Sequence, residues 1–227
     1  MAKLSNDYDF IDLSHTIEDG MVTYKGLPGP IICDFLSRED AVKKYADGET
    51  IQIEKIELVS CSGTYLDSPF HRYADGKDIS RLPLEKIAGL DCVIVRSPCQ
   101  GANHAVTLDE VKGLDVKGKA VLFHTGWDTH WRTDEYFEGN SFISTEVAQY
   151  LVDNGAALAG IDSLNIDGTE DMARPVHTLL LGNEIPIVEH LCNLNSAPGT
   201  GATFFAVPPK MKAVGTFPVR AFVLAPK

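Results

Sequence analysis

Ser60-Cys61-Ser62-Gly63-Thr64-Tyr65-Leu66-Asp67-Ser68-Pro69-Phe70-His71 sets a thiol, a phenol, a carboxylate and an imidazole about a Gly-Thr bend. The run before it, Ile51 to Val59, is rich in β-branched residues and reads as a strand feeding that bend. Cys61, Tyr65, Asp67 and His71 share odd parity, so an extended chain tends to turn them to one side. A straight strand would hold Cys61 and Tyr65 roughly 13 Å apart, at about 3.3 Å per residue. That is too far for two groups to share one metal or one substrate atom. If these side chains act together, the chain folds back at Gly63-Thr64, where glycine admits the bend without a steric penalty.

Around this stretch the composition narrows the class of protein. A length of 227 residues with 44% hydrophobic content supports a sizeable core, and residues 1–227 read as one domain. The net charge of -12 is spread along the chain with no basic run to follow a phosphate backbone, which argues against a nucleic-acid partner. No start combines basic residues with an apolar core, and no apolar run approaches the ~20 residues of a membrane span. The expectation is a cytoplasmic protein with no membrane partner. Cys33, Cys61, Cys92, Cys99 and Cys192 are odd in number and scattered, which suits a reducing compartment better than a disulfide framework.

Outward from the bend, the pattern is mixed α/β. Phe10 to His15 reads as a short strand ending in a polar turn, and Gly20 to Pro30 as a loop placed to cover something. Strands are expected at Cys92 to Arg96, Ala120 to His124, Ala157 to Ile161, Ile185 to Glu189, Thr203 to Val207 and Val219 to Leu224. Thr107-Leu108-Asp109-Glu110 has the form of a capping box opening a short helix. Ser144 caps a helix running to about Asn154, and Pro175 to Leu181 reads as one or two helical turns closed by Gly182-Asn183. Strand, helix and strand in succession between Ala120 and Ile161 suggest a crossover unit in a mixed sheet. The acidic runs at Asp7 to Asp9, Arg38 to Asp40 and Thr169 to Asp171 read as solvated loops. Arg174, just after the last of them, could instead meet a substrate carboxylate.

These residues resemble the cyclase family of metal-dependent hydrolases, a group that includes kynurenine formamidase and isatin hydrolase. The likeness covers Asp12 to His15 with Asp19 to Met21, Phe123 to Trp127, Gly160 to Asp167, and His177 to Glu189 with Asn193-Leu194. The family signature is His-x-Gly-Thr-His-x-Asp-x-Pro-x-His, and this chain reads Cys61-x-Gly63-Thr64-Tyr65-x-Asp67-x-Pro69-x-His71. The resemblance implies an α/β fold of the swivelling β/β/α type, a mixed sheet or small barrel packed by helices. It also implies a homo-oligomer, a dimer or tetramer, with the active site near a subunit interface. Carried over by position, Asp67, His177 and Glu189 match metal ligands and His71 matches the acid-base histidine. Cys61 and Tyr65 stand where two ligand histidines are expected, so the first metal position is lost and one divalent ion, Zn or Mn, is implied.

Three chemistries follow, and the sequence leaves them open. In the first, one ion held by Asp67, His177 and Glu189 activates water and polarises a carbonyl while His71 moves protons, which hydrolyses an amide, lactam or lactone of a small aromatic or cyclic molecule. In the second, Cys61 is a nucleophile activated by His71, with Asp67 orienting the imidazole. In the third, the pocket binds a small ligand without turnover and Tyr65 is part of its wall. His124 and Trp127 either close the core or, for Trp127, line a pocket. His104, His130 and His190 read as surface or packing residues.

Overall fold

The computed structural model describes residues 7–227. Thirteen strands are formed: β1 (Tyr8–Asp12), β2 (Ile31–Leu36), β3 (Ile53–Glu57), β4 (Tyr65–Asp67), β5 (Ala88–Arg96), β6 (Ala105–Val106) and β7 (Ala120–His124), followed by β8 (Phe142–Ile143), β9 (Leu158–Ile161), β10 (Ile187–Glu189), β11 (Thr200–Phe205), β12 (Thr216–Pro218) and β13 (Phe222–Pro226). Four α-helices with both ends among the described residues accompany them: α1 (Arg38–Val42), α2 (Leu108–Val111), α3 (Thr145–Asp153) and α4 (Pro175–Gly182). Nine strands form one mixed sheet in the order β1-β13-β11-β5-β7-β9-β10-β4-β12. Its centre, β5-β7-β9-β10, is parallel and both flanks are antiparallel.

The alternation of side chains along these strands builds two cores. Leu66, Ile94, Leu122, Leu158, Val188, Phe204 and Val223 face a cluster that the curled sheet encloses largely by itself. Val95, Val121, Phe123, Ile161 and Ile187 face the other way, against Val147 and Leu151 of α3 and Val176 and Leu180 of α4. Buried on both faces, the parallel strands read as continuous apolar runs, as β7 does in Ala-Val-Leu-Phe. β7, α3 and β9 form the expected crossover, with β7 and β9 adjacent and parallel. Ser144 accepts from the Val147 amide at the start of α3, and Thr107 and Glu110 form the capping box of α2.

The sheet is stitched into a half-barrel by the segment after β1. The Leu13 amide donates to the Ala221 carbonyl, and the Leu13 carbonyl accepts from the Cys192 amide, at 2.9 and 3.0 Å. Leu13 itself is fully buried in the inner core.

Several expectations differ in detail. Arg38 to Asp40 opens α1 rather than lying in a loop, because Ser37 accepts from the Asp40 amide and caps it. The strand before the bend pairs only with β2, in an exposed two-stranded ribbon outside the main sheet. β12 was not legible, since three residues ending in proline carry no strand signal of their own. No helix among the described residues is long and apolar enough to cross a membrane.

Replacing Leu13 by alanine removes the plug of the inner core, and should lower stability by about 2–5 kcal/mol in urea unfolding. An unchanged midpoint would show that the half-barrel does not depend on this stitch.

Candidate active site

Register places the reactive groups. β4 lies between β10 and β12, so Tyr65 stands opposite Glu189 on one side, and Asp67 stands opposite Thr216 on the other. Leu66 points into the inner core, which turns Tyr65 and Asp67 to the opposite face. Cross-strand neighbours then hydrogen bond: the Tyr65 hydroxyl donates to Glu189 Oε2 at 2.5 Å, and the Thr216 hydroxyl donates to Asp67 Oδ1.

The bend at Gly63-Thr64 forms as expected. Gly63 has φ +65° and lies so close to Ile17 that a β-carbon would come within 2.7 Å of its side chain. Its amide donates to Thr23 Oγ1, tying the bend to the Gly20–Pro30 loop. That loop does cover something, because Tyr24 and Leu27 line a cleft of about 260 Å³ with Cys61, Tyr65, His71, His177 and Glu189.

His71 ends a single 3-10 turn, Pro69–His71, seated against Gly215. A β-carbon at Gly215 would come within 2.7 Å of the His71 amide nitrogen, so only glycine admits this approach. The Thr216 hydroxyl has one proton and gives it to Asp67, so His71 Nδ1 must be the donor in its 2.8 Å bond to Thr216 Oγ1. This leaves His71 Nε2 as the proton-accepting nitrogen of the neutral ring.

His177 sits in the first turn of α4, after Pro175 at the helix start. The Asp167 carboxylate accepts from the Val176 and His177 amides and from His177 Nδ1, the last at 2.6 Å. Asp167 thereby caps the helix and selects the tautomer whose Nε2 faces Asp67 Oδ2 and Glu189 Oε1, each 3.6 Å away.

Burial would lower the His177 pKa, but Glu189, Asp167 and Asp67 together raise it. Burial also raises Glu189, opposed by His177. For Asp67 burial acts upward, yet the nearby His177 and His71 rings and the Thr216 hydroxyl hold its carboxyl below the usual range. Burial pushes the Cys61 thiol up to about 11, with Asp67 and Glu189 adding to the effect. The same burial, next to Glu189, raises the Tyr65 phenol well above its ordinary value.

The structure thus brings Cys61, Tyr65, His71, His177 and Glu189 around one cleft, with fully buried Asp67 3.6 Å from His177 Nε2. Ligand atoms of Asp67, His71 and His177 lie within 4.8 Å of one another. Glu189 meets His177, but its oxygens already accept from the Ile166 amide and Tyr65. The residues fit a cation: Asp67 Oδ2 is buried without a hydrogen-bond partner, beside an imidazole nitrogen turned toward it. Tyr65, a protonated donor, does not act there as an anionic ligand.

Three residues at the site were not among the candidates. Thr216 sits 149 positions from Asp67 and carried no local signal. Asp167 lay within the quoted Gly160 to Asp167 stretch, but its role needs α4 to be placed against it. Arg72 adjoins His71 and gave no signal beyond that adjacency. Trp127 closes a small cluster with Tyr136 and Leu164 and is not in the cleft. His190 is buried, as a packing residue would be.

Comparison with known proteins agrees with this frame. Kynurenine formamidase from Bacillus cereus is 24% identical over 216 residues, spanning 95% of this chain and 97% of that protein. Among solved structures, isatin hydrolase A from Labrenzia aggregata superposes with a TM-score of 0.84 at 19% identity, covering 98% of this chain and 96% of the other. Isatin hydrolase A from Ralstonia solanacearum gives 0.80 at 20% identity, covering 96% and 92%. The family model described as "Putative cyclase" matches residues 11–168, more than half of the chain, and the protein belongs to that cyclase family.

Proposed function

We propose that this chain is a hydrolase acting on the amide, lactam or lactone carbonyl of a small aromatic or cyclic molecule, with arylformamides as the first class to try. The observation that carries the reading is the buried, unpartnered Asp67 Oδ2 with His177 Nε2 3.6 Å from it, and with His71 linked to the same carboxylate through Thr216. The kynurenine formamidase and isatin hydrolase relatives support the substrate class.

Asp67 Oδ2, His177 Nε2 and Glu189 Oε1 would hold one divalent ion, Zn or Mn. Such an ion supplies Lewis-acid polarisation of the carbonyl and lowers the pKa of water. His71 Nε2 would take the proton of the attacking water and return it to the leaving nitrogen of an amide or lactam, or the leaving oxygen of a lactone, while Thr216 and Asp67 keep the ring in that tautomer. Tyr65 holds Glu189 in place by its hydrogen bond. Tyr24 and Leu27 close the cleft over an aromatic ring and reduce the access of water.

The cysteine-nucleophile reading fares worse. A thiol pushed up to about 11 is almost wholly protonated near neutral pH, and two carboxylates beside it disfavour the thiolate. The same proposal includes a homo-oligomer in the cytoplasm. The oligomer is supported by the family likeness together with the β2-β3 ribbon, where Phe35 is 76% and Ile56 60% exposed, and the compartment by the odd, scattered cysteines.

Purified protein should contain one equivalent of divalent metal, and turnover of N-formylkynurenine or isatin should disappear with chelator and return with added zinc or manganese. Protein that neither binds metal nor turns over either compound would sink the reading.

His71→Gln should lower kcat by about 10²–10⁴ while the metal content stays unchanged. Loss of the metal would instead make His71 a ligand. Cys61→Ser should keep most of the activity, and a near-total loss would restore the nucleophile. Light scattering should give a mass at least twice the 24.7 kDa of one chain.

A further inference from the structure

Arg72 and Arg174 line the same cleft as His71, His177 and Glu189. The chain carries 32 acidic residues against 20 basic ones, yet no carboxylate among the described residues lies within ion-pair distance of either guanidinium. Arg81, Arg132 and Arg220, by contrast, hold Asp78, Glu18 and Asp12, and Arg96, which also has no carboxylate, lies outside the cleft with its guanidinium on the Ala197 carbonyl and His124. An abundance of acids makes two unpaired arginines at one cleft a feature to explain.

Each guanidinium is tethered by one N–H to a backbone carbonyl. Arg174 Nη1 donates to Gly168 at 2.8 Å, and Arg72 Nη2 donates to Ala173 at 2.9 Å. Ala173 directly precedes Arg174, so the second tether sets the Arg72 guanidinium against the backbone that carries Arg174. With five N–H donors per guanidinium, most remain free on both. The Arg174 backbone is left-handed, with φ 50° and ψ 60°, immediately before Pro175. A residue with a β-carbon adopts that conformation only where its surroundings enforce it.

The cleft therefore carries both signs of charge. Glu189 and His177 line it, with Asp67 3.6 Å from His177, and two guanidinium groups without counter-ions line it with them. A planar anion satisfies such a pair, because guanidinium and carboxylate match edge to edge.

We propose that Arg72 and Arg174 bind a carboxylate of the substrate, so that the preferred substrates are aromatic amides or lactams bearing an acid group. The scissile carbonyl then lies toward Asp67 and His177. This rests on the hydrolase reading above for the identity of the reacting group, but the anion site itself does not.

The test is calorimetric titration of the whole chain with benzoate and with benzamide, ligands of one shape and different charge, with and without chelator. Benzoate should bind about tenfold or more tightly than benzamide, with a preference that weakens as salt rises. Arg72→Gln and Arg174→Gln should each remove most of that preference and leave benzamide binding unchanged, while Arg174→Lys keeps part of it. Equal affinities in the unaltered chain overturn the proposal. So does a preference that survives both glutamine variants and vanishes with chelator, since the acid would then sit on the ion. Arg174 also secures Gly168, so if Arg174→Gln does not fold, exposed Arg72 decides the matter alone.

Turnover separates the two readings. N-formylanthranilate should exceed formanilide in kcat/KM by about tenfold or more. Benzoate selectivity without metal and without turnover of these two, N-formylkynurenine or isatin would end the hydrolase reading and sustain the anion site, whereas equal turnover of N-formylanthranilate and formanilide would end the anion site alone.

Discussion

The register of β4 between β10 and β12 is the constraint on which the site depends. Three residues of strand set Tyr65 against Glu189 and Asp67 against Thr216. A slip of one residue would turn Leu66 into the cleft and bury both polar side chains in the inner core. Leu66 prevents it, being fully buried among Leu13, Val188 and Val219. The chemistry is thus held in place by an apolar residue that takes no part in it.

From that register a chain of hydrogen bonds fixes the protons. Thr216 gives its only proton to Asp67, which obliges His71 to donate from Nδ1 and to keep Nε2 for the cleft. Asp167 does the same for His177, and because it also caps α4 it couples the helix start to the ring orientation. Tyr65 alters the balance of the site. A phenol in place of an imidazole adds a donor that occupies one oxygen of Glu189 and offers no lone pair of comparable basicity. Cys61 next to it is kept neutral by burial. Both substitutions reduce the number of strong metal donors, and both leave Asp67 and His177 untouched.

Much of this was legible in the sequence because it is local. The bend at Gly63 and the caps at Thr107 and Ser144 each follow from residues a few positions apart, and the crossover from β7 to β9 from the order of three such local signals. The parity of Tyr65 and Asp67 was readable for the same reason. Thr216 was not, since a threonine before Phe217 and Pro218 looks like any loop residue until the half-barrel closes. Arg72 and Arg174 were separated by about a hundred residues, and only the tether to Ala173 joins them. The exposed β2-β3 ribbon shows the converse: a strand signal is local, and it does not say which sheet takes the strand.

By itself the sequence determined which groups were available: an Asp67 and His71 in a tight frame, a His177 at a helix start, a Glu189 at a strand end, and a thiol and phenol where imidazoles were expected. Spacing and side-chain chemistry suffice for that, because backbone geometry repeats over a few residues. Only the tertiary structure decided which atoms meet, which tautomers result, and which charges go unpaired. Those depend on strand pairs and helix placements between distant segments, where packing of the two cores sets the distances.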